Sequence, residues 1–152
     1  MAVKNYELTS VELAAWRGFL RVHSALVKAL DAELEAAYRM PLSHYEVLIS
    51  LRHAPERRLR MAELADAVLL SRSGMTRLVD RLERQGYLRR DSCDTDARGS
   101  FAVLTDAGAE LLERARPAHL TEVRERFLHH LDEDELATLA GIWERLLPGA
   151  SA

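Results

Sequence analysis

The stretch MAELADAVLLSRSGMTRLVDRLERQGYL, residues 61–88, decides the fold. Within it Met75, Leu78, Val79 and Leu82 recur at i, i+3, i+4 and i+7, which sets all four on one side of a helix. The opposite side then carries Arg72, Ser73, Thr76, Arg77 and Arg81, a row of cations and hydroxyls. Ser71 can cap this helix, since its hydroxyl accepts an orphan N–H, and Gly86 can close it, since glycine tolerates left-handed backbone. Upstream, Leu64, Ala65 and Val68 give a short helix over 61–68 an inward apolar face. Downstream, Tyr87–Arg90 and Ser100–Leu104 read as two short strands around the polar loop Asp91 to Gly99. Two short helices, a sharp turn and a hairpin form the layout in which one helix enters a major groove while a wing reaches flanking backbone or minor groove.

Working outward, Thr9 or Ser10 can cap a first helix with Glu12 in its first turn. Val11, Trp16, Phe19, Leu20, Leu26, Leu30 and Leu34 give it an apolar stripe to about Tyr38. A helix this long needs a partner beyond one small domain, and a second subunit is a natural one. Pro41 interrupts the pattern, Ser43 with Glu46 is expected to recap it, and Tyr45, Val47, Leu48 and Leu51 carry a second helix to about His53. The stretch Glu56 to Arg60 reads as polar connection. Thr105 or Asp106 caps a further helix that meets Pro117, where a kink or a break is expected before Leu120 to His130. Asp132 starts the last helix, through Leu136, Leu139, Ile142, Trp143 and Leu146, and Pro148 with Gly149 stops it.

Composition narrows the function classes. The 152 residues are 48% hydrophobic with only 7 Gly and 4 Pro, which fits a mainly helical protein rather than a disordered tail. No run approaches the roughly 20 apolar residues of a membrane span, and residues 1–10 lack the apolar core of a signal peptide, so the expected compartment is the cytoplasm. The net charge of −3 hides an asymmetry. Between Arg52 and Arg98 eleven arginines face eight acidic residues, whereas the rest of the chain is acidic. Local positive potential is what phosphate binding requires. The single cysteine, Cys93, excludes an intrachain disulfide and paired thiolate ligands.

Residues 61–66 and 70–88, followed by Asp94-Thr-Asp-Ala-Arg-Gly-Ser100 and Leu104-Thr-Asp-Ala-Gly108, closely resemble the MarR family of bacterial winged helix-turn-helix transcriptional regulators. The resemblance implies a mainly α fold with a small β-hairpin wing. It divides the chain into an N-terminal dimerisation helix (1–40), a DNA-binding domain (41–104) and C-terminal dimerisation helices (105–152). It makes Ser71 to Leu82 the recognition helix, and Asp96 with Arg98 the wing pair whose arginine enters the minor groove. It also implies a homodimer on a pseudo-palindromic operator of double-stranded DNA, acting as a repressor released by a small phenolic or other anionic effector. Trp16, Phe19, His23, His44 and Tyr45 are the candidates to line the effector crevice. Ala97 departs from the second wing arginine of many members, and Leu69 from the glycine many carry in the turn.

Other residues offer rival readings. His119, His129 and His130 could suggest a metal-responsive regulator, but adjacent histidines diverge by about 100° on a helix and His119 lies three turns away. Cys93 could sense oxidants if Arg89 and Arg90 lowered its pKa. No phosphate-cradling loop or nucleophile with a paired base is present, so neither an enzyme nor a resident cofactor is expected. A helical protein-interaction module with a basic face is the remaining alternative.

Overall fold

A computed structural model describes residues 7–68, 72–92 and 100–150, the side chains of 72, 73 and 92 excepted. Their order is α1 (Ser10–Tyr38), α2 (Leu42–His53), β1 (Arg58–Arg60), α3 (Met61–Ala67), α4 (Arg72–Arg84), β2 (Leu88–Ser92), β3 (Ser100–Leu104), α5 (Asp106–Arg126) and α6 (Glu133–Leu146). Single 3₁₀ turns at Pro55–Arg57 and Leu128–His130 precede β1 and α6. The chain is thus mainly helical with one small antiparallel sheet, the expected class. No helix among the described residues is long and apolar enough to cross a membrane.

Local chemistry sets most boundaries where the sequence placed them. Thr9 and Glu12 form a capping box, with the Glu12 N–H donating to the Thr9 hydroxyl at 3.2 Å and the Thr9 N–H donating to the Glu12 carboxylate at 2.8 Å. The Thr9 N–H and the Thr9 hydroxyl, both donating to the Glu12 carboxylate, hold that carboxyl below its usual range. Asp132 and Glu135 do the same for α6, both bonds at 2.9 Å. At the end of α4, Gly86 has φ +78°, the Tyr87 N–H reaches the Leu82 carbonyl at 3.0 Å, and the Gly86 N–H reaches Glu83 at 2.9 Å. This double closure satisfies carbonyls that a plain helix end would leave open.

Three expectations are corrected. Ser43 does not cap α2: Pro41 holds the cap position, and the Asp31 carboxylate, on α1, accepts the Leu42 N–H at 2.8 Å. The stretch Glu56 to Arg60 is not only connection, because its last three residues form β1, which pairs with β3 in the sheet order β1-β3-β2. Pro117 neither ends α5 nor separates it from Leu120, and the helix continues to Arg126. The cost of an interior proline, about 3 kcal/mol, is offset by packing, since Leu111, Leu112 and Ala115 are buried on the preceding turns.

Register sorts the sheet into two faces. Arg58 lies opposite Val103, Arg60 opposite Phe101, Arg89 opposite Val103 and Asp91 opposite Phe101, so these six share one face. Ala102, Leu104 and Leu88 share the other and are buried, with α2 and α3 packed on β3 and α4 on β2.

The chain divides into two compact units, Asp31–Thr121 and Met1–Leu30 with Glu122–Ala152. Among the described residues, the buried hydrophobic side chains all belong to the first, including Leu48, Leu51, Leu64, Val79 and Leu112. Helix α5 enters that core where Gly108 meets the turn after α4. A Cβ at Gly108 would stand 2.0 Å from the Tyr87 carbonyl oxygen, so only glycine fits. Thr105 secures the approach, its hydroxyl donating to the Gly86 carbonyl at 2.6 Å and accepting the Gly108 N–H at 3.1 Å.

Candidate nucleic-acid interface

Helix α4 presents its two faces as its periodicity demands. Met75, Val79 and Leu82 are 1%, 0% and 1% exposed, and Leu78 is half-buried. Thr76, Arg77 and Arg81 are exposed on the other side. Arg72 and Ser73 lie in the first turn of the same helix. Ser71, Asp96 and Arg98, with Leu69, Cys93 and Ala97, lie outside the described residues.

The helix is held in place by Arg90, which the sequence puts at the end of a strand and beside Cys93 without pointing to this role. Arg90, on β2, places its guanidinium 2.6 Å from Asp80 and 2.9 Å from Glu83, and reaches the Thr76 carbonyl at 3.5 Å. Its backbone N–H also donates to Glu83 at 2.8 Å. Asp80 and Glu83 both belong to α4, so one cation ties the helix to the strand that starts the hairpin. Arg89 pairs with Asp91. Both arginines proposed to activate Cys93 are therefore already matched to carboxylates. The signal for Arg90 was available in the sequence, because Asp80 and Glu83, three residues apart, share a helix face.

On the opposite side of the sheet Phe101 carries two guanidiniums. Arg58 lies 4.0 Å and Arg60 5.0 Å from its ring centroid. Sequence reading missed this cluster because it missed β1.

The five residues proposed for an effector crevice belong to different units. Trp16, Phe19 and His23 follow one another along α1, their rings 6.2 and 6.1 Å apart, and Phe19 also meets Trp143 of α6 at 5.5 Å. Phe19 and His23 line an apolar groove of about 460 Å³ with Val22, Leu26, Phe127 and Trp143. His44 and Tyr45 are buried in the other unit, each 5% exposed. His44 borders a small cavity of about 80 Å³ behind α4, next to Leu82 and Gln85. Burial, helped by the Arg81 charge, holds its imidazole pKa down. The Tyr45 ring lies 4.2 Å from that of His119, and burial pushes the phenol up. His119 buries its Nδ1 without a partner, and desolvation lowers its pKa. Among the described residues no three His, Cys, Asp or Glu groups converge to hold a metal ion.

Comparison with known proteins agrees with this geometry. The model of the MarR family matches residues 40–99. The DNA complex of Sco3205, a MarR family transcriptional regulator from Streptomyces coelicolor, superposes with a TM-score of 0.89 at 36% identity, covering 98% of this chain and 93% of that one. AbsC, a MarR family regulator from the same organism, gives 0.87 at 32% identity over 93% of this chain and 95% of its own. The HTH-type transcriptional regulator PecS of Dickeya dadantii is 29% identical over 128 residues, 83% of this chain and 75% of PecS. These relatives are transcriptional regulators rather than enzymes.

Proposed function

The chain belongs to the MarR family of DNA-binding transcriptional regulators, and from that premise we propose that it acts as a cytoplasmic homodimer that represses transcription from a pseudo-palindromic operator. The observation that carries this reading is the outward row of α4. Thr76 and Arg77 stand exposed on a helix whose other side buries Met75, Val79 and Leu82 and whose pose is fixed by Arg90. A rigid helix with a free guanidinium can present two parallel donors to guanine, and a neighbouring hydroxyl can serve several bases. We assign base reading to Ser73, Thr76 and Arg77, phosphate contacts to Ser71, Arg72 and Arg81, and the wing's minor-groove contact to Arg98 steadied by Asp96.

Homodimerisation is supported by the terminal helices, which leave Val11, Trp16, Leu146 and Leu147 more than half exposed. Helices with this much apolar surface need a partner, and a second copy supplies it symmetrically. An effector role for Trp16, Phe19 and His23 is supported by the apolar groove that Phe19 and His23 line, whose aromatic and imidazole chemistry suits a phenolic or anionic ring. Effector binding would then shift the population of DNA-competent dimers.

Selection of binding sites from random duplexes, repeated with phenolic ligands present, tests the reading directly. Arg77→Ala is expected to cost about 1–3 kcal/mol on the selected site and far less on random DNA. Equal losses on both would remove Arg77 from base reading.

A further inference from the structure

We propose that the small cavity behind α4 is a binding site for a compact carboxylate of one or two carbons, held between the Arg39 guanidinium at its wall and the buried imidazole of His44. The site lies wholly within the unit Asp31–Thr121, apart from the α1 groove assigned to an effector, and does not depend on the DNA-binding reading.

Three observations carry it. The first is a buried group without a match. His44 is 5% exposed and borders the cavity, and among the described residues its imidazole makes no hydrogen bond. Buried polar groups are satisfied by protein or by a small molecule beside them, so the partner of this ring has to come from inside the cavity. The neighbouring Tyr38 hydroxyl is already engaged, donating to the Arg114 carbonyl at 2.9 Å. Burial first, and then the Arg81 charge, lower the pKa of His44, while Asp31 opposes them. With no anion beside it the ring is therefore neutral at pH 7, a donor at one nitrogen and an acceptor at the other.

The second is charge. Arg39 is the charged residue in the cavity wall, and among the described residues no carboxylate pairs with its guanidinium. Its backbone is left-handed, φ +52°, where its N–H closes α1 on the Glu35 carbonyl at 3.0 Å. Glycine takes that conformation at the least cost. The side chain that stands there instead brings to the cavity a planar fork of donors, which fits a carboxylate two bonds at a time. Of the two charges that act on His44, Arg81 is positive and the Asp31 carboxylate is turned to the Leu42 N–H at 2.8 Å, so Arg39 tips the balance toward an anion.

The third is size. The cavity of about 80 Å³ has roughly half the volume of one that accepts benzene, about 150 Å³, and the room of two or three waters. An aromatic ring is too large for it, whereas formate and acetate, with three and four heavy atoms, are not. Leu82 and Leu111 give an apolar wall for the acetate methyl group, and Gln85 and Tyr87 add polar groups. Leu82 lies in the last turn of α4, so an occupant would tie that turn to His44 in α2 and to Arg39 after α1.

The test follows the ring resonances of His44 by NMR in the full-length protein while sodium formate, acetate, benzoate or chloride is added. Formate and acetate should shift them saturably, with a Kd on the order of 1 mM for so few heavy atoms. Benzoate and chloride should not, the first being too large and the second offering no pair of oxygens to the fork. Arg39→Gln should weaken acetate binding about tenfold or more. Gln85→Glu should weaken it too, by setting a second carboxylate beside the site. Both positions are exposed, so neither change disturbs the core. Affinity should rise severalfold from about pH 7.5 to about pH 6, because a bound carboxylate favours the imidazolium that burial and Arg81 disfavour. Asp31 adds to that effect and Arg39 subtracts from it, and the other polar groups that face the ring, Tyr38, Gln85 and Tyr87, are phenols and an amide. No saturable shift, an equal one with benzoate or chloride, unchanged affinity in Arg39→Gln, or affinity independent of pH would overturn the proposal without touching the DNA-binding reading.

Discussion

The two units of this chain spend their apolar residues in opposite ways. Asp31–Thr121 turns them inward, and among the described residues it holds every buried hydrophobic side chain. The unit formed by the chain ends displays them, with Val11 77%, Leu146 72% and Trp16 54% exposed. No residue of α6 is buried, although its capping box and periodicity are those of a well-formed helix. One region is folded by its own core, and the other has helices whose apolar faces await a covering surface. The lesson is that local helix signals and burial are independent, since caps and stripes specify a helix but not what the stripe meets.

The largest expected effect breaks this contrast at the exposed end. Val11→Asp or Leu146→Asp would change protomer stability by under about 0.5 kcal/mol if these residues only faced water. If a second copy covers them, size-exclusion with light scattering will show monomers. Operator affinity should then fall by about 10²–10⁴-fold, since one half-site is no longer tethered to the other. A dimer that survives both changes would locate the interface elsewhere.

In the self-sufficient unit, Gly108→Ala should destabilise by about 1–3 kcal/mol through the clash with the Tyr87 carbonyl, despite alanine's better helix propensity. Denaturant titration measures it, and a neutral or stabilised variant would mean that α5 can shift freely. Arg90→Ala is next, at about 1 kcal/mol for the ion pairs, with a larger loss in DNA affinity because α4 is no longer tied to β2. Restoration by Arg90→Lys of stability but not affinity would separate charge from the geometry of the fork.

The smallest effect is on pH dependence. Burial lowers the pKa of His119 and His44, so the unfolded chain takes up protons below the ordinary histidine value of 6.5 that the folded chain refuses. Their contribution to stability is complete above that value and is lost as pH falls beneath it. His119→Phe keeps a ring against Tyr45 and should flatten the stability profile between pH 7 and 5, by up to about 1.4 kcal/mol per pH unit for one proton. An unaltered profile would show that His119 titrates alike folded and unfolded.

The sequence yields those parts of this structure whose causes are local. The caps at Thr9 and Asp132, the closure at Gly86 and the two faces of α4 each depend on residues within one or two turns. The first features to escape are those whose partners are distant in the chain. Asp31 caps a helix eleven residues away, and β1 is three residues long with arginine at both ends, so only its pairing with β3 makes it a strand. The break allowed for at Pro117 fails for the same reason, since the breaking tendency is local and the packing that overrides it is not. In the candidate interface Thr76, Arg77 and Arg81 were readable from periodicity, whereas the seat of Arg58 and Arg60 on Phe101 needed the register of the sheet.

Arg90 anchors α4 from β2, ahead of residues 93–99 that connect β2 to β3. Descendants of this gene could therefore lengthen, shorten or recharge that connection without losing the tie that holds the helix. Under the proposed function, the bases recognised and the reach along the duplex become separately heritable traits, free to diverge at different rates.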